Sequence, residues 1–210
     1  MTAEQKPART YPSEDALRAE AVRIARYACD GDKGRVFGDP VFDAVTEGRQ
    51  KWKGYSACGD LPHYVLRELG FRDERILNRE DDGGVLPWKI GANLSRIVFN
   101  PLGAFVWASG DKRPKPGDVL YMSKSEHVAV LEELDERAGC IATYDYGQWD
   151  YQAVKAAGKR KVNPFTVEGR ALKIGKRTLH GWLDLARLPG LIVPATPESD
   201  PCATCPYAKR

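Results

Sequence analysis

Residues 114–146 read PKPGDVLYMSKSEHVAVLEELDERAGCIATYDY, and this stretch decides the fold. Pro114-Lys115-Pro116-Gly117-Asp118 is a turn, since proline presets φ and glycine accepts the conformations other residues resist. Val119-Leu120-Tyr121-Met122 is a short apolar strand, and Ser123-Lys124-Ser125-Glu126 is a polar connection. His127 to Leu134 form a second strand. Asp135 to Gly139 make a loop, and Cys140 to Tyr146 a third strand. Apolar runs joined by short polar links predict a meander of antiparallel strands.

Upstream of the meander the period changes. Ser13 reads as an N-cap, with Glu14 and Asp15 in the first turn, where acids complement the helix dipole. Leu17, Ala21, Ile24, Ala25 and Ala28 recur at helical spacing, Cys29 packs beside that stripe, and Gly31 stops the helix. Residues 30–53 read as a loop with a short helix near Val41. A further helix carries Leu61, Val65, Leu66 and Leu69 and ends at Gly70. Pro62 confines its start to the stretch from Cys58 to Leu61, because proline is tolerated only in a first turn. Asp60 can itself be the N-cap, so Cys58 stands either on that first turn or just before it. Asp81-Asp82-Gly83-Gly84 is a turn, and Trp88, Ile90, Leu94, Ile97 and Val98 line a short helix. Phe105, Val106 and Trp107 follow, with most of these aromatics expected in the core.

Downstream, residues 147–169 read as a basic excursion around Gln148, Trp149, Lys155 and Lys159-Arg160-Lys161. Arg170 to Ile174 are another strand, Gly175 a turn, and Leu179 to Leu188 the closing strand. Helices followed by strands predict an α+β fold, with N-terminal helices packed on an antiparallel sheet. The expected organisation is a lead-in over residues 1–12, one domain over 13–188, and an irregular proline-marked tail over 189–210.

Composition narrows the partners. Hydrophobic content of 42% and charged content of 29% are those of a soluble globular protein. A net charge of +3 is too small to argue for nucleic acid, but suits an anionic substrate. The N-terminus has no apolar signal region and no run reaches membrane-spanning length, so the expectation is a chain made in the cytoplasm with no membrane partner. Action outside would need specialised export or lysis. The 5 cysteines are odd in number and sparse, which does not suit a disulfide scaffold. Cys202-Ala203-Thr204-Cys205 is one C-x-x-C pair, too few ligands for a zinc site, so neither metal nor cofactor is expected.

The chemistry centres on Cys58. It lies between small residues in Gly54-Tyr55-Ser56-Ala57-Cys58-Gly59-Asp60, which lets a substrate approach the sulfur. A following helix N-terminus favours a thiolate. A nucleophilic thiol needs a base, and the base an orienting group. His63 is too near Cys58 in sequence to be well oriented and reads as a helix-surface residue. His180 opens the last strand and reads as exposed. His127 heads an apolar strand, where packing does not explain it. His127, Ala129 and Leu131 share one strand face, and Ile141, Thr143 and Asp145 share one on the next. If the loop sets Leu134 opposite Cys140, Ala129 faces Asp145. His127 and Asp145 are then diagonal neighbours about 7–8 Å apart. A one-residue slip would undo this pairing.

These residues resemble the NlpC/P60 and CHAP superfamily of papain-like cysteine peptidases and amidases. The resemblance rests on the cysteine at a helix start, on Lys115-Pro116-Gly117-Asp118-Val119-Leu120-Tyr121, and on His127-Val128-Ala129-Val130. Gly139-Cys140-Ile141-Ala142-Thr143-Tyr144-Asp145 and the closing Gly181-Trp182-Leu183-Asp184-Leu185 add to it, and it spans roughly residues 13–188. It implies a papain-like fold with Cys58 as nucleophile, His127 as base and Asp145 as its orienter. The oxyanion would be met by the backbone N–H of Cys58 or Gly59, with Tyr55 as a further donor. It also implies cleavage of amide bonds in peptidoglycan through an acyl-enzyme. The substrate partner is then peptidoglycan or a peptide amide, with a delivery or immunity protein in addition if the chain is an effector. Ala57-Cys58-Gly59-Asp60 departs from the Asp-Cys-Ser-Gly-like signature usual there, and Pro62 is unusual. The competing readings are a binding module on the same fold that has lost catalysis, using Trp149 and Lys159-Arg160-Lys161, and a cytoplasmic amidase acting on another substrate.

Overall fold

The computed structural model describes residues 9–36, 38–46, 57–71, 80–81, 84–85, 102–122, 127–147 and 158–193. Helix α1 spans Glu14–Cys29 and begins as its sequence requires: Ser13 Oγ accepts the Ala16 N–H at 3.2 Å. Its C-cap, Asp30, comes one residue before the expected glycine. Asp30 already turns left-handed at φ 52°, and Gly31 donates its N–H back to the Arg26 carbonyl at 3.1 Å. Its inward stripe of Leu17, Ala21, Ile24, Ala25, Ala28 and Cys29 is buried. Helix α2, Pro40–Thr46, is the short helix expected near Val41. Asp39 caps it, its Oδ1 accepting the N–H groups of Val41 and Phe42 at 2.8 and 3.2 Å. Helix α3 spans Asp60–Glu68, and a 3-10 turn at Ala57–Gly59 runs directly into it. Pro62 sits in the first turn of α3, where its missing N–H costs no hydrogen bond.

Strands β1, Glu80–Asp81, and β2, Gly84–Val85, pair antiparallel around the expected turn. The helix expected around Trp88, Ile90, Leu94, Ile97 and Val98 lies outside the described residues. Strand β3 is Phe105–Trp107, β4 Val119–Met122, β5 His127–Asp135 and β6 Cys140–Tyr146. The last three are the meander. Phe105 and Val106 are buried as expected, whereas Trp107 stands on the edge strand and is 53% exposed.

The basic excursion is corrected in part. Residues Gly158–Glu168 form β7, at eleven residues the longest strand. Only Gly158 and Phe165 on it are buried, so it lacks the apolar alternation by which strands are recognised. It is held instead by unbroken pairing with β6, from Tyr146↔Gly158 to Cys140↔Pro164. Strand β8 is Ala171–Ile174 and β9 is Arg177–Leu183. The closing strand is thus shorter than expected, because Asp184 caps a 3-10 turn at Leu185–Arg187.

The sheet also closes on itself. Strand β9 pairs with β4 along one edge, and its other edge takes β8 in its first half and β3 in its second. Strands β4, β5, β6, β7, β8 and β9 therefore form a ring. Leu120, Leu131, Ile141, Phe165, Leu172 and Trp182 fill its inside. Val119, Val128, Val130, Tyr144 and Tyr146 face outward and pack in one cluster with the apolar stripes of α1, α2 and α3. The described chain is α+β, with its helices laid on the outside of an antiparallel barrel-like sheet.

One buried cation joins the layers. Arg18 of α1 donates to Asp118 Oδ1 at 2.5 Å, Asp184 Oδ1 at 2.6 Å, Glu14 Oε1 at 2.8 Å and the Pro116 carbonyl at 3.1 Å. Asp118 closes its own turn by accepting the Lys115 N–H at 2.8 Å. Gly117 takes φ 90°, and a Cβ there would press within 3.2 Å of Ala21. The Pro-Gly-Asp turn is therefore the seat of α1 on the barrel. Tyr11 pairs with Ile192, so the segments before α1 and after β9 meet.

Candidate active site

Cys58 stands in the 3-10 turn that feeds α3, with 5% of its surface exposed. The alternatives of riding on α3 or preceding it thus resolve to a continuous helical lead-in. Gly59 is the N-cap residue of α3, and Asp60 is its first residue rather than its cap. Cys58 thus stands at the N-terminal end of the helical segment, the positive end of its dipole.

His127 is the first residue of β5 and is buried. Its register against β6 differs from the expectation at one end only. At the loop, Leu134 pairs with Ile141 and Asp135 with Cys140, one residue off. The register shifts between Leu131 and Glu133, leaving Glu132 as a bulge, and then runs Leu131↔Thr143 and Val130↔Tyr144. Carried on, it sets Ala129 opposite Asp145. The bulge restores the parity that the loop had lost. Glu132 is held there by the Tyr144 hydroxyl, which donates to Oε1 at 2.6 Å, and by Arg160, whose Nε–H donates to Oε2.

The diagonal contact is made. His127 Nε2 lies 2.5 Å from Asp145 Oδ1, with both side chains buried. The Cys58 thiol is hydrogen-bonded to the same imidazole. With Nε2 committed to Asp145, Nδ1 is the ring nitrogen left for the thiol. Thr143, on the same face and two residues before Asp145, donates its hydroxyl to Asp145 Oδ2 at 2.6 Å. Both carboxylate oxygens are thus occupied, and the imidazole cannot rotate without breaking the Asp145 bond.

The electrostatics follow from these contacts. Burial is the largest influence on His127 and pushes it down. The hydrogen bonds to Asp145 and Cys58, with the charges of both, outweigh it and leave the imidazole above its ordinary value. Burial likewise pushes Asp145 up most strongly, but His127, Thr143 and the Lys161 charge together hold it below the ordinary carboxylate range. The site therefore favours an imidazolium next to an aspartate.

The other candidates separate cleanly. Cys29 is fully buried behind the acid, and burial, then the Asp145 charge, push its thiol well up. It stays a protonated packing residue. His63, read as a surface residue, is instead buried on α3 at 4% exposure, because its helix face turns inward. His180 is exposed as expected and lies edge-on to Tyr121, with ring centroids 5.7 Å apart. Tyr55, Trp149, Cys202 and Cys205 lie outside the described residues. The Lys159-Arg160-Lys161 cluster is divided by strand alternation. Arg160 pairs with Glu132, while Lys159 lies opposite Asp145 and Lys161 opposite Thr143. Sequence reading missed Thr143 as a partner of the acid. Its signal was present, since a hydroxyl two residues before an acid on one strand shares its face.

A thiol, an imidazole and a carboxylate connected in this order can generate a thiolate, attack an electrophilic carbon and pass the proton onward. Among the described residues no helix is long and apolar enough to cross a membrane. Comparison with protein-family models, curated proteins and solved structures finds no match to this chain.

Proposed function

We propose that this protein is a cysteine-dependent hydrolase of amide bonds with a papain-like arrangement, of the NlpC/P60 and CHAP kind, acting on bacterial peptidoglycan. The observation that carries the reading is the buried relay from Cys58 through His127 to Asp145, with 2.5 Å between the last two. A buried imidazole bonded to both a thiol and a doubly hydrogen-bonded carboxylate has no packing role that an apolar residue would not fill at lower cost. The peptide-wall substrate rests on the sequence resemblance and the mildly basic charge.

In this reading the Cys58 thiolate adds to the carbonyl carbon of the scissile amide. The electron pair of the carbonyl moves to oxygen, and the oxyanion is met by backbone N–H groups of Cys58 and Gly59. His127 gives its Nδ1 proton to the departing amine, the C–N bond breaks, and a thioester to Cys58 remains. Water then loses a proton to Nδ1 as it attacks the thioester carbon, the C–S bond breaks, the carboxylic acid is released, and the Cys58 thiolate is restored beside the imidazolium. Asp145 keeps Nε2 protonated throughout. A binding module on the same fold would leave this relay without a use.

The test is mass spectrometry of purified peptidoglycan digested with the protein. Release of new peptide fragments is expected, and Cys58→Ala or His127→Ala should abolish it in a folded protein. Iodoacetamide gives an independent readout. An ordinary thiol holds well under about 1% thiolate at pH 6. Alkylation of Cys58 in His127→Ala should therefore be about a hundredfold slower at that pH than in the wild type. No fragments, together with equal alkylation rates, would leave the hydrolase reading without support.

A further inference from the structure

The face of the barrel that carries Thr143 and Asp145 continues onto β7 and β9. Directly opposite residues of an antiparallel pair share a face, so Lys161 joins Thr143 and Lys159 joins Asp145. Strand β9 brings a third cation. Leu179 is one of the side chains inside the ring, and Arg177, two residues earlier, shares its face at the mouth. Lys161 is half-buried beside Thr143, and Lys159 is exposed at the rim. None of the three makes an ion pair or hydrogen bond with a described side chain. By contrast Arg18, Arg23, Arg35, Arg113, Arg160 and Arg187 all pair with acids.

Asp145 does not neutralise this cluster. Its Oδ1 is taken by His127 and its Oδ2 by Thr143, and its single charge is shared with the imidazolium. Three cations on one rim, two of them (Lys161 and Arg177) half-buried, repel one another and are costly in the absence of an anion. The direction of titration agrees: burial, then the charges of Arg177 and Lys159, hold the Lys161 ammonium below its ordinary value despite the attraction of Asp145. Such a site gains from an anion that supplies the missing charge and accepts hydrogen bonds.

We propose that Lys161, Arg177 and Lys159 form a subsite for a carboxylate of the peptide substrate, on the far side of Asp145 from Cys58. This rests on the amide-hydrolase reading for the identity of the ligand. Strand geometry sets the spacing. His127, Asp145 and Lys161 lie on successive strands about 4.8 Å apart. The carboxylate then lies on the order of 10 Å from the scissile carbonyl, two or three residues along an extended peptide. The subsite therefore selects peptides with an acidic residue at a set distance from the bond cut.

The experiment uses the full chain and two probes: stem peptides with free carboxylates, and the same peptides after carbodiimide coupling to ammonia has turned the carboxylates into carboxamides. Binding is measured by calorimetry on Cys58→Ala, so that turnover is not required. The free-acid peptide is expected to bind about tenfold more tightly than its amide, the range of a charged hydrogen bond. Lys161→Met/Arg177→Met should erase that preference while leaving the amide affinity unchanged, and Lys161→Arg should keep it. If the double variant does not fold, salt decides. Raising sodium chloride should weaken only the acid peptide's binding to Cys58→Ala. Equal loss on both peptides would mean that the cations act only by holding Asp145, and overturns the proposal, as does equal affinity of Cys58→Ala for the two. Preference without turnover by the wild type removes the hydrolase reading alone. Turnover without preference removes the subsite alone.

Discussion

Thr143 is the residue on which the state of the relay turns. Its hydroxyl accounts for one of two hydrogen bonds to a carboxylate with 2% exposure. Thr143→Val keeps the shape and removes the donor. A hydrogen bond to a charged, buried group contributes about 1.5–3 kcal/mol, so kcat/KM should fall by about tenfold or more. The pH profile supplies the check that a packing role would not move. Asp145 lies below the ordinary carboxylate range, so its contribution to stability is present above that range and is lost as pH falls through its depressed value. Without Thr143 that value rises, and both the acid limb of the rate and the acid unfolding midpoint should move to higher pH. His127 has the opposite sign. Its value is raised, so its contribution is full below the ordinary histidine value and is lost as pH climbs through the raised one. An unchanged acid limb in Thr143→Val would show that the hydroxyl does not set the charge of Asp145.

At the scale of elements, the bulge in β5 and the Pro-Gly-Asp turn position the site. The meander, its strand limits and the face shared by His127 and Asp145 are legible because alternation and turn residues are local properties. The bulge at Glu132 is not, because it depends on Tyr144 and Arg160, residues brought to it from other strands. The expected contact of His127 with Asp145 survived a wrong pairing at the loop because the bulge cancelled the one-residue offset there. The turn was legible as a turn, but the reason for Asp118 required Arg18, a hundred residues away. Burial pushes the Asp118 carboxyl up to about 6 even with Arg18 beside it, while Arg18, facing three carboxylates, stays cationic. Arg18→Met would leave Asp118 and Asp184 without their shared cation and should cost about 3–5 kcal/mol at neutral pH. A carboxyl with a raised folded value contributes stability below its unfolded value and loses it as pH rises through the folded one. The defect of Arg18→Met should therefore shrink as pH falls towards about 6, because without Arg18 the Asp118 carboxyl takes up its proton at a higher pH than the value of about 6 it has beside the cation. Urea melts of both proteins at pH 8 and pH 5 decide it, and a defect that does not change with pH would mean that packing, not charge, is what Arg18 supplies.

At the scale of the molecule, the closed ring was the least legible feature. Nothing in the apolar pattern of residues 158–168 marks a strand, because β7 carries charged side chains on both faces and is defined by its partners. Closure depends on how β7 enters beside the helices, and Gly158 is that entry. It pairs with Tyr146 on one side and exchanges backbone hydrogen bonds with Arg35 on the other, at 2.7 and 3.3 Å. A Cβ at Gly158 would stand 2.3 Å from Tyr146 Cε2. The ring has no room to yield. It stacks on Phe42 at a centroid distance of 5.2 Å, and its hydroxyl donates to the Ala28 carbonyl at 2.6 Å. Gly158→Ala should then cost about 1–3 kcal/mol by overpacking, read as a lower urea midpoint with an unchanged slope. The cause can be separated from any general intolerance of the position. In a Tyr146→Leu background the atoms that clash are gone, and the alanine should cost much less there, giving a coupling energy of at least about 1 kcal/mol in the double-mutant cycle. An alanine that costs the same in both backgrounds would show that Tyr146 is not what keeps residue 158 a glycine. The ring would then owe its closure at this point to the Arg35 backbone pairing instead.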